Sequence, residues 1–458
     1  MNRFVPALLL VPALALAGGV LGCNSSDTGS IQIITDEEAG TFTASPALTK
    51  LSVVAESGDA STVLATAQLP TSTIDLGQLS ETASVVSIAV EGFDSSNTQR
   101  AFGATLPVEY GALAGQTISV FVQRKGTLAR LPSPLTDVRQ SPTLSVLQGE
   151  YLLVTGGAET PVAKTTQLYD FGFFTPVGAP PTLPIAPQSI ALAGTVAWLI
   201  DDTAGWYFDF SSNASAALAL PTGGTFADIA GGATVIDANG AQYIVGATRL
   251  TGSPTDKVLK VDPNDGTNSA YPYGNTTWFT LSAPRLGAAA AWTSTYGLVV
   301  AGGSNTAAGV EYVMSGSSTG VALTQFPPDP AFGAGAAALD GAHVLVAGGG
   351  TGLFQDPGVR DLDLGCAGGS ASCATVISWG NLPVVVSPAQ TFSWGATSDG
   401  LVVGNEFGAG TTHVFRLSPT SITEVPTRTP HTNARAAWSP VGSIVLFGGA
   451  DVIESFTP

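Results

Sequence analysis

A short apolar run that ends in a pair of glycines recurs along most of this 458-residue chain. Four copies are clear: EYLLVTGG, YGLVVAGG, AHVLVAGGG and GSIVLFGG; VAWLIDD, AQYIVGA and DGLVVGN are weaker ones. The seven runs end near Gly156, Asp201, Gly246, Gly302, Gly348, Gly404 and Gly448, about 49 residues apart on average. A repeat of this length is typical of a four-stranded propeller blade, so the spacing predicts a β-propeller.

The rest of each repeat is also predicted to form strands. A second apolar run follows the glycines, a short strand ending in proline closes most repeats, and a small-residue strand such as RLGAAAAW opens the next. The double glycine and partial YDP-like turns, at Tyr169-Asp170 and Val261-Asp262-Pro263, resemble the kelch repeat over about residues 127–458. This resemblance implies a seven-bladed kelch-type propeller of the galactose-oxidase-like kind without its copper site, with six or eight blades as alternatives.

The last repeat contains only three strands before the chain stops at VIESFTP. The segment TLARLPSPL, residues 127–135, precedes the first full repeat and is predicted to supply the fourth strand. Such a strand would close the ring and leave no open sheet edge.

Composition supports an all-β chain. Charged residues are only 11% of the sequence, and 55 glycines with 30 prolines disfavour helices and supply turns. Residues 31–125 lie outside the repeat and contain about seven short strand-like runs, which predicts a small immunoglobulin-like β-sandwich before the propeller at 126–458. The formal charge of −18 and the absence of any Lys/Arg cluster argue against nucleic-acid binding.

The first residues, MNRFVPALLLVPALALAGGVLGC, have the layout of an export signal: Arg3, an apolar middle and small residues before Cys23. The ending Val20-Leu21-Gly22-Cys23 resembles the bacterial lipobox. It implies a lipoprotein signal peptide at 1–22, a lipid (palmitate) on Cys23, a tether at 23–30 and attachment to the bacterial cell envelope, with the outer membrane as the expected site. The alternative is an ordinary signal peptide cleaved nearby, with Cys23 unmodified.

The other two cysteines, Cys366 and Cys373, flank a Gly/Ser-rich loop. A disulfide between them is the expectation for an exported protein, and a metal site is the alternative, although the segment has no histidine. No metal and no cofactor are expected.

Two motifs resemble enzyme fingerprints. GAGAAA from Gly333 matches a dinucleotide pattern, but a proline-rich turn precedes it and a β run follows, so it is interpreted as a first strand. GSSTG at 316–320 matches a nucleophile elbow, but it falls in a predicted hairpin turn. The chain has only three histidines, His343, His413 and His431, and the first two lie within apolar strand runs.

Three arginines precede glycines at similar spacings: Arg139 by 17 residues, Arg285 by 17 and Arg435 by 13. Loops that enter the first strands would place these guanidiniums around one mouth of the channel, near Arg249, Asn305 and His431. Such a ring would suit a carboxylate or a sugar acid. The alternative is that each arginine ties blades together by bonding to backbone or to an acid.

The predicted function is a non-catalytic, lipid-anchored binding or scaffold protein whose propeller face engages a protein, a peptide or a glycan. The alternative is a carbohydrate-active enzyme, a sugar isomerase or an oxidoreductase-like protein, acting at the propeller mouth.

Overall fold

A computed structural model describes residues 28–36, 40–58, 60–78, 84–157, 164–263, 275–350, 358–366, 375–394 and 398–458. Within these ranges, nine strands form an N-terminal unit: β1 (Thr28–Ile34), β2 (Leu48–Ser57), β3 (Ala60–Gln68), β4 (Thr73–Gln78), β5 (Val85–Asp94), β6 (Gln99–Ala104), β7 (Val108–Glu109), β8 (Thr117–Phe121) and β9 (Gln123–Arg124). A short 3₁₀ turn at Tyr110–Leu113 lies between β7 and β8.

The N-terminal unit consists of two sheets that share one core. One sheet has the order β4-β1-β8, with β1 parallel to β8; the other has the order β3-β2-β5-β6-β9, with β7 on β5. Alternate residues of each strand face inward, so that Ile31 and Val120 of the first sheet pack with Leu51 and Ile88 of the second, all four fully buried. Strand β1 begins at Thr28, within the segment 23–30 that was expected to be a tether.

Residues beyond β9 form seven four-stranded antiparallel sheets within the described part of the chain. Six of them use consecutive strands: β11 (Thr143–Leu147), β12 (Tyr151–Thr155), β13 (Thr166–Asp170), β14 (Thr175–Pro176); β15 (Ser189–Ala193), β16 (Val196–Ile200), β17 (Gly205–Asp209), β18 (Ala214–Ala217); β19 (Ala233–Ile236), β20 (Gln242–Val245), β21 (Thr255–Asp262), β22 (Asn275–Arg285); β23 (Ala289–Thr293), β24 (Gly297–Ala301), β25 (Val310–Val313), β26 (Val321–Leu323); β27 (Gly335–Ala338), β28 (His343–Ala347), β29 (Gly358–Asp363), β30 (Val376–Asn381); β31 (Val386–Ser393), β32 (Gly400–Glu406), β33 (Thr412–Ser418), β34 (Ser421–Glu424).

The seventh sheet joins the two ends of the propeller region. It has the order β10-β37-β36-β35 and contains β35 (Arg435–Trp438), β36 (Ile444–Phe447), β37 (Glu454–Phe456) and β10 (Leu128–Arg130). Leu128 pairs with Phe456, and Arg130 with Glu454. The early segment therefore completes the last sheet, as the missing fourth strand predicted.

The sheets are arranged as a β-propeller. First strands of neighbouring sheets contact one another from β11 to β15, β19, β23, β27 and β31; β35 contacts β32 and, at the other side, β11. The series thus returns to its start. Small residues dominate several first strands, such as AAAWT in β23 and GAAA in β27, because these strands converge at the centre of the ring.

Backbone hydrogen bonds link neighbouring sheets at the start of the first strands. The N–H of Gly287 donates to the carbonyl of Arg249, Gly333 donates to Gly287, and Ala389 donates to Gly333, at 2.7 to 2.8 Å. A side chain at Gly333 would collide with Ser387 Oγ, 2.3 Å from the ideal Cβ position. The GAGAAA motif therefore enters β27, a first strand, rather than a nucleotide-binding helix.

The glycine pairs follow the second strand and are tightly packed. An ideal Cβ on the second glycine would lie 2.4 Å from the Gln140 carbonyl at Gly157, 2.8 Å from the Leu286 carbonyl at Gly303, and 2.2 Å from the Thr432 nitrogen at Gly449. Each of these contacts is with the loop that enters the first strand of the same sheet. Only glycine lets the two loops approach so closely.

The propeller has two sides. We call the side with the turns between first and second and between third and fourth strands, such as 148–150, 171–174 and 439–443, the turn face. The loop face is the opposite side, with the loops after the glycine pairs and the loops between sheets; Asn305 and the loop before β11 belong to it.

The N-terminal unit packs against the turn face. Phe121 at the end of β8 shares a core with Phe171 and Phe174 of a turn-face turn, and its ring centroid lies 5.8 Å from that of Phe174. Gln123 is hydrogen-bonded to Thr457, where β37 ends at the same side. The N-terminal unit and the propeller therefore share buried apolar contacts, and the loop face lies on the other side of the ring. Helices that could cross a membrane are not found among the residues described.

Candidate functional site

Three side chains occupy equivalent places in the loops that enter the first strands. Arg139 and Arg285 each donate a hydrogen bond from Nη1 to the carbonyl of the first glycine of their pair, Gly156 at 2.9 Å and Gly302 at 2.7 Å. His431 Nδ1 lies 2.8 Å from the carbonyl of Gly448. All three pairs are separated by 17 residues, and Arg139, Arg285 and His431 are at most 2% exposed.

Carboxylates on two third strands complete these contacts. Glu311 on β25 accepts a hydrogen bond from Arg285 Nε and another from the backbone N–H of Ser282. Glu454 on β37 lies 3.3 Å from His431 Nε2 and accepts the backbone N–H groups of Arg428 and Thr429 at 3.0 and 2.6 Å. Buried charge is tolerated only when it is paired and hydrogen-bonded, and here the hydrogen bonds fix the incoming loop.

Arg139 has a different set of partners. Its guanidinium donates to the carbonyl and the side-chain oxygen of Thr165, at 3.1 and 2.9 Å. Burial lowers the pKa of Arg139, because the charged form loses its hydration. Asp137, 3.8 Å away and largely exposed, opposes this only partly.

Arg249 and Arg435 do not extend the series. The guanidinium of Arg249, which is 7% exposed, donates to the carbonyls of Ala227 and Ser253, and burial lowers its pKa. Arg435 is the first residue of β35, and burial lowers its pKa as well. In the seventh sheet, His431 occupies the position that Arg139 has in the first sheet and Arg285 has in the fourth. The spacing of 17 residues from Gly448 is the pattern in the sequence that would have identified it.

These contacts agree with the alternative interpretation of the arginines, in which each one bonds to backbone or to an acid. The partners lie mainly in the same sheet rather than in the neighbouring one. Because the guanidiniums of Arg139 and Arg285 are enclosed and hydrogen-bonded, they do not form the ring of accessible cations expected from the sequence. His431, the base that an enzyme at this mouth would use, is buried with both ring nitrogens close to acceptors.

Asn305, by contrast, is exposed on the loop face. The neighbouring Ser304 uses its hydroxyl to accept the N–H of Ala307 at 3.2 Å, which stabilises the turn after the glycine pair. Two apolar side chains also protrude from loops on this side: Val138 is 51% exposed and Phe407 is 47% exposed. The loop face thus presents exposed apolar and amide groups.

The remaining histidines pair with acids on propeller strands. His343 Nδ1 lies 3.0 Å from Asp361 Oδ1, and His413 Nδ1 lies 2.8 Å from Glu424 Oε1. Burial opposes protonation of His343, but the hydrogen bond and charge of Asp361 outweigh it and raise the pKa of His343. Within the described ranges, no group of three or more His, Cys, Asp and Glu side chains is placed to hold a metal ion.

Cys366 is disulfide-bonded. Cys373, the partner expected from the sequence, and Cys23, the expected lipidation site, both lie outside the described residues, so the pairing and the lipidation remain predictions.

A groove at the outer edge of the propeller was not predicted from the sequence. It brings together the segment 126–128 and side chains from between residues 399 and 428, including Arg416 and Arg428. No local motif marks it, because its two walls come from segments almost 300 residues apart.

No family model and no curated protein matches this sequence. Among solved structures, a chain of the mitotic checkpoint complex is 13% identical, with a TM-score of 0.46, covering 73% of this chain and 91% of that one. The Cps50 (Swd1) β-propeller domain of Myceliophteria thermophila is 10% identical, with a TM-score of 0.43, covering 71% of this chain and 99% of that one. The Pan2 WD40 domain of Neurospora crassa is 12% identical, with a TM-score of 0.46, covering 72% and 98%. Likenesses of this size carry no information about function.

Proposed function

We propose that this protein is a lipid-anchored binding protein of the bacterial cell envelope, in which the loop face of a seven-bladed, kelch-type propeller engages a partner without catalysis. The seven four-stranded sheets are its blades, and the N-terminal unit is an immunoglobulin-like spacer. The partner is a protein, a peptide or a glycan.

The position of the N-terminal unit, between the start of the chain and the propeller, supports this proposal most strongly. Strands β1 and β8 run parallel, with Ser30 opposite Thr117 and Ile34 opposite Phe121. Since Phe121 packs against the turn face, Thr28 lies at the end of the unit remote from the propeller. Four residues separate Cys23 from Thr28, so an anchor on Cys23 would lie at most about 18 Å from Thr28, the span of five fully extended residue steps. The unit would then stand at the membrane, with the loop face directed away from it.

The kelch assignment is supported by the repeated glycine pairs and by the loops that pack on them. Four sheets retain the pair, and in three of these an arginine or histidine 17 residues earlier binds the first glycine. These buried contacts hold the loops in fixed positions. A rigid loop face lowers the entropic cost of binding a partner.

Face-selective crosslinking tests the binding surface. A photo-crosslinking amino acid is placed at Asn305 or Phe407 on the loop face, or at Ile236 or Met314 on the turn face, in the full chain expressed in its own cell envelope. Ile236 and Met314 are 58% and 50% exposed, so they are matched controls for accessibility. The expected result is one discrete adduct from the loop-face positions only. The same adduct from both faces, or from the turn face alone, would contradict the proposal.

The anchor is tested separately. The full-length chain should incorporate labelled palmitate and accumulate as an unprocessed precursor when lipoprotein signal peptidase is inhibited with globomycin. The Cys23→Ala chain should do neither. A Cys23→Ala chain that still carries the label would disprove this anchor, whereas the crosslinking result would stand.

A further inference from the structure

The groove at the outer edge of the propeller has a volume of about 440 Å³ and lies between the sixth and seventh sheets. One wall is formed by β33, β34 and the segment after them; the other is the segment 126–128, which leads from the N-terminal unit into β10. Its volume falls within the range of about 300–1,000 Å³ that is typical of small-molecule sites. None of Val138, Asn305 and Phe407 lines it, so it is separate from the loop-face surface.

Two arginines line the groove in a chain that has only 16 Lys and Arg residues against 34 acids. Arg416 donates from Nη2 to Asp399 Oδ2 at 3.0 Å, and its side chain is 47% exposed. Its Nη1 faces Gly126, where the position of a Cβ would lie 3.5 Å away. The missing side chain at Gly126 therefore leaves room beside the guanidinium.

Arg428, in the segment after β34, is held in place by contacts with the seventh sheet. Its Nε donates to the carbonyl of Leu128 at 2.9 Å, and its backbone N–H donates to the buried Glu454 at 3.0 Å. The guanidinium is therefore positioned before any ligand arrives. A positioned guanidinium is well suited to bind a planar carboxylate.

The rest of the lining is rich in groups that bind hydroxyls. Asp399 and Glu424 supply carboxylate acceptors that are 29% and 51% exposed. Thr127, Ser418 and Thr423 add hydroxyls that can donate or accept. The groove thus combines cations for one acidic group with acceptors and donors for several hydroxyls.

The geometry points to an acidic sugar as the ligand of this groove, specifically a uronic acid unit of a glycan. Its carboxylate pairs with Arg416 and Arg428, and its hydroxyls donate to Asp399 and Glu424. A dianionic phosphate fits less well, because the same two carboxylates would repel its second charge. This inference does not depend on the loop-face proposal, since the two surfaces share none of the residues that define them.

The test is calorimetric titration of the full chain with trigalacturonate, with its fully methyl-esterified form and with inorganic phosphate. We expect trigalacturonate to bind and the neutral ester to bind at least about tenfold more weakly, because esterification removes the charge-assisted hydrogen bonds. The inference is overturned if trigalacturonate does not bind, or if the ester binds equally well. If phosphate binds as strongly as trigalacturonate, the groove is a general anion site, and the assignment of an acidic sugar as its ligand is overturned.

Matched variants assign the binding to the groove. Arg416→Gln should weaken trigalacturonate binding at least about tenfold. Arg100→Gln removes a comparable ion pair of the N-terminal unit, 42% exposed and 2.8 Å from Asp94, and should leave binding unchanged. Ser421→Trp, at the exposed first residue of β34, which lines the groove, blocks the groove without removing a charge and should also abolish binding. Unchanged binding in Arg416→Gln and Ser421→Trp would overturn the site.

Discussion

Arg285 and Glu311 form an ion pair in which neither side chain is exposed to solvent. Arg285 also donates to the carbonyls of Gly302 and Ala308, while Glu311 also accepts the backbone N–H of Ser282. A single buried pair therefore connects the loop entering the fourth sheet, the glycine pair after its second strand and the face of its third strand. His431 and Glu454 make the corresponding connection in the seventh sheet.

Removing one partner of this pair should be strongly destabilising. Arg285→Met leaves Glu311 buried without its counter-ion, so we expect a loss of about 3–5 kcal/mol in the free energy of unfolding. Urea denaturation of the full chain measures it. The double variant Arg285→Met, Glu311→Leu should recover part of the loss.

Arg416→Met, which breaks the exposed pair with Asp399, is the control and should cost no more than about 1 kcal/mol. Equal losses in the two single variants would contradict the role given to the buried pair.

Close contact between sheets at Gly287 gives a second prediction. Gly287 has a φ of +68°, and a Cβ there would lie 2.2 Å from the ring of Phe332. Gly442 has a similar φ of +78° but open space around it. Gly442→Ala should cost about 1–2 kcal/mol from the backbone alone, and Gly287→Ala a further 1–3 kcal/mol, roughly, from overpacking. Thermal and urea unfolding measure the stability of the Gly442→Ala and Gly287→Ala variants. The prediction fails if the two variants are equally stable.

The junction between the N-terminal unit and the propeller is tested by Phe174→Ala. Phe174 is 4% exposed and packs on Phe121, so the variant should lose about 3–5 kcal/mol. All seven tryptophans lie beyond the N-terminal unit, so their fluorescence reports on the propeller, whereas far-UV circular dichroism reports on both. The two unfolding curves should coincide in the wild type and separate in Phe174→Ala. Phe173→Ala, at a neighbouring residue that is 79% exposed, should change neither. Separate curves already in the wild type would argue against the coupling.

The pair of His343 and Asp361 predicts a pH dependence of stability. The folded protein has a pKa for His343 above the usual 6.5, since Asp361 outweighs the effect of burial. Protonated His343 therefore stabilises the fold below pH 6.5, and this contribution is lost as the pH rises through the raised pKa. Burial also raises the pKa of Asp361, and that shift likewise favours stability at lower pH. The free energy of unfolding of the wild type should therefore fall between about pH 6 and 9. In His343→Gln this fall should be smaller, by less than about 1 kcal/mol. Identical pH profiles for variant and wild type would rule this out.

Much of the propeller could be predicted from the sequence, because its signals are local and repeated. The glycine pair follows a second strand in each of its four copies, and the small-residue run from Gly333 enters a first strand. Repeats without the pair, such as the one ending near Asp201, still form four-stranded sheets.

The residues of the candidate sites were only partly predictable. The sequence spacing grouped Arg139, Arg285 and Arg435, but it did not show that the guanidiniums of Arg139 and Arg285 bind carbonyls of their own sheets. Whether an arginine is accessible or enclosed depends on what packs above it, which the spacing does not contain.

The sequence alone thus determined the periodic features: strand order, the closing strand and the backbone positions that require glycine, because each follows from residues near one another in the chain. Only the tertiary structure decided which charged groups are enclosed and which line a surface. Arg285 and Arg416 are both arginines next to acids, yet one is sealed between loops and the other lines an open groove. That difference arises from segments far apart in sequence, such as Gly126 beside Arg416, and exists only after the ring has closed.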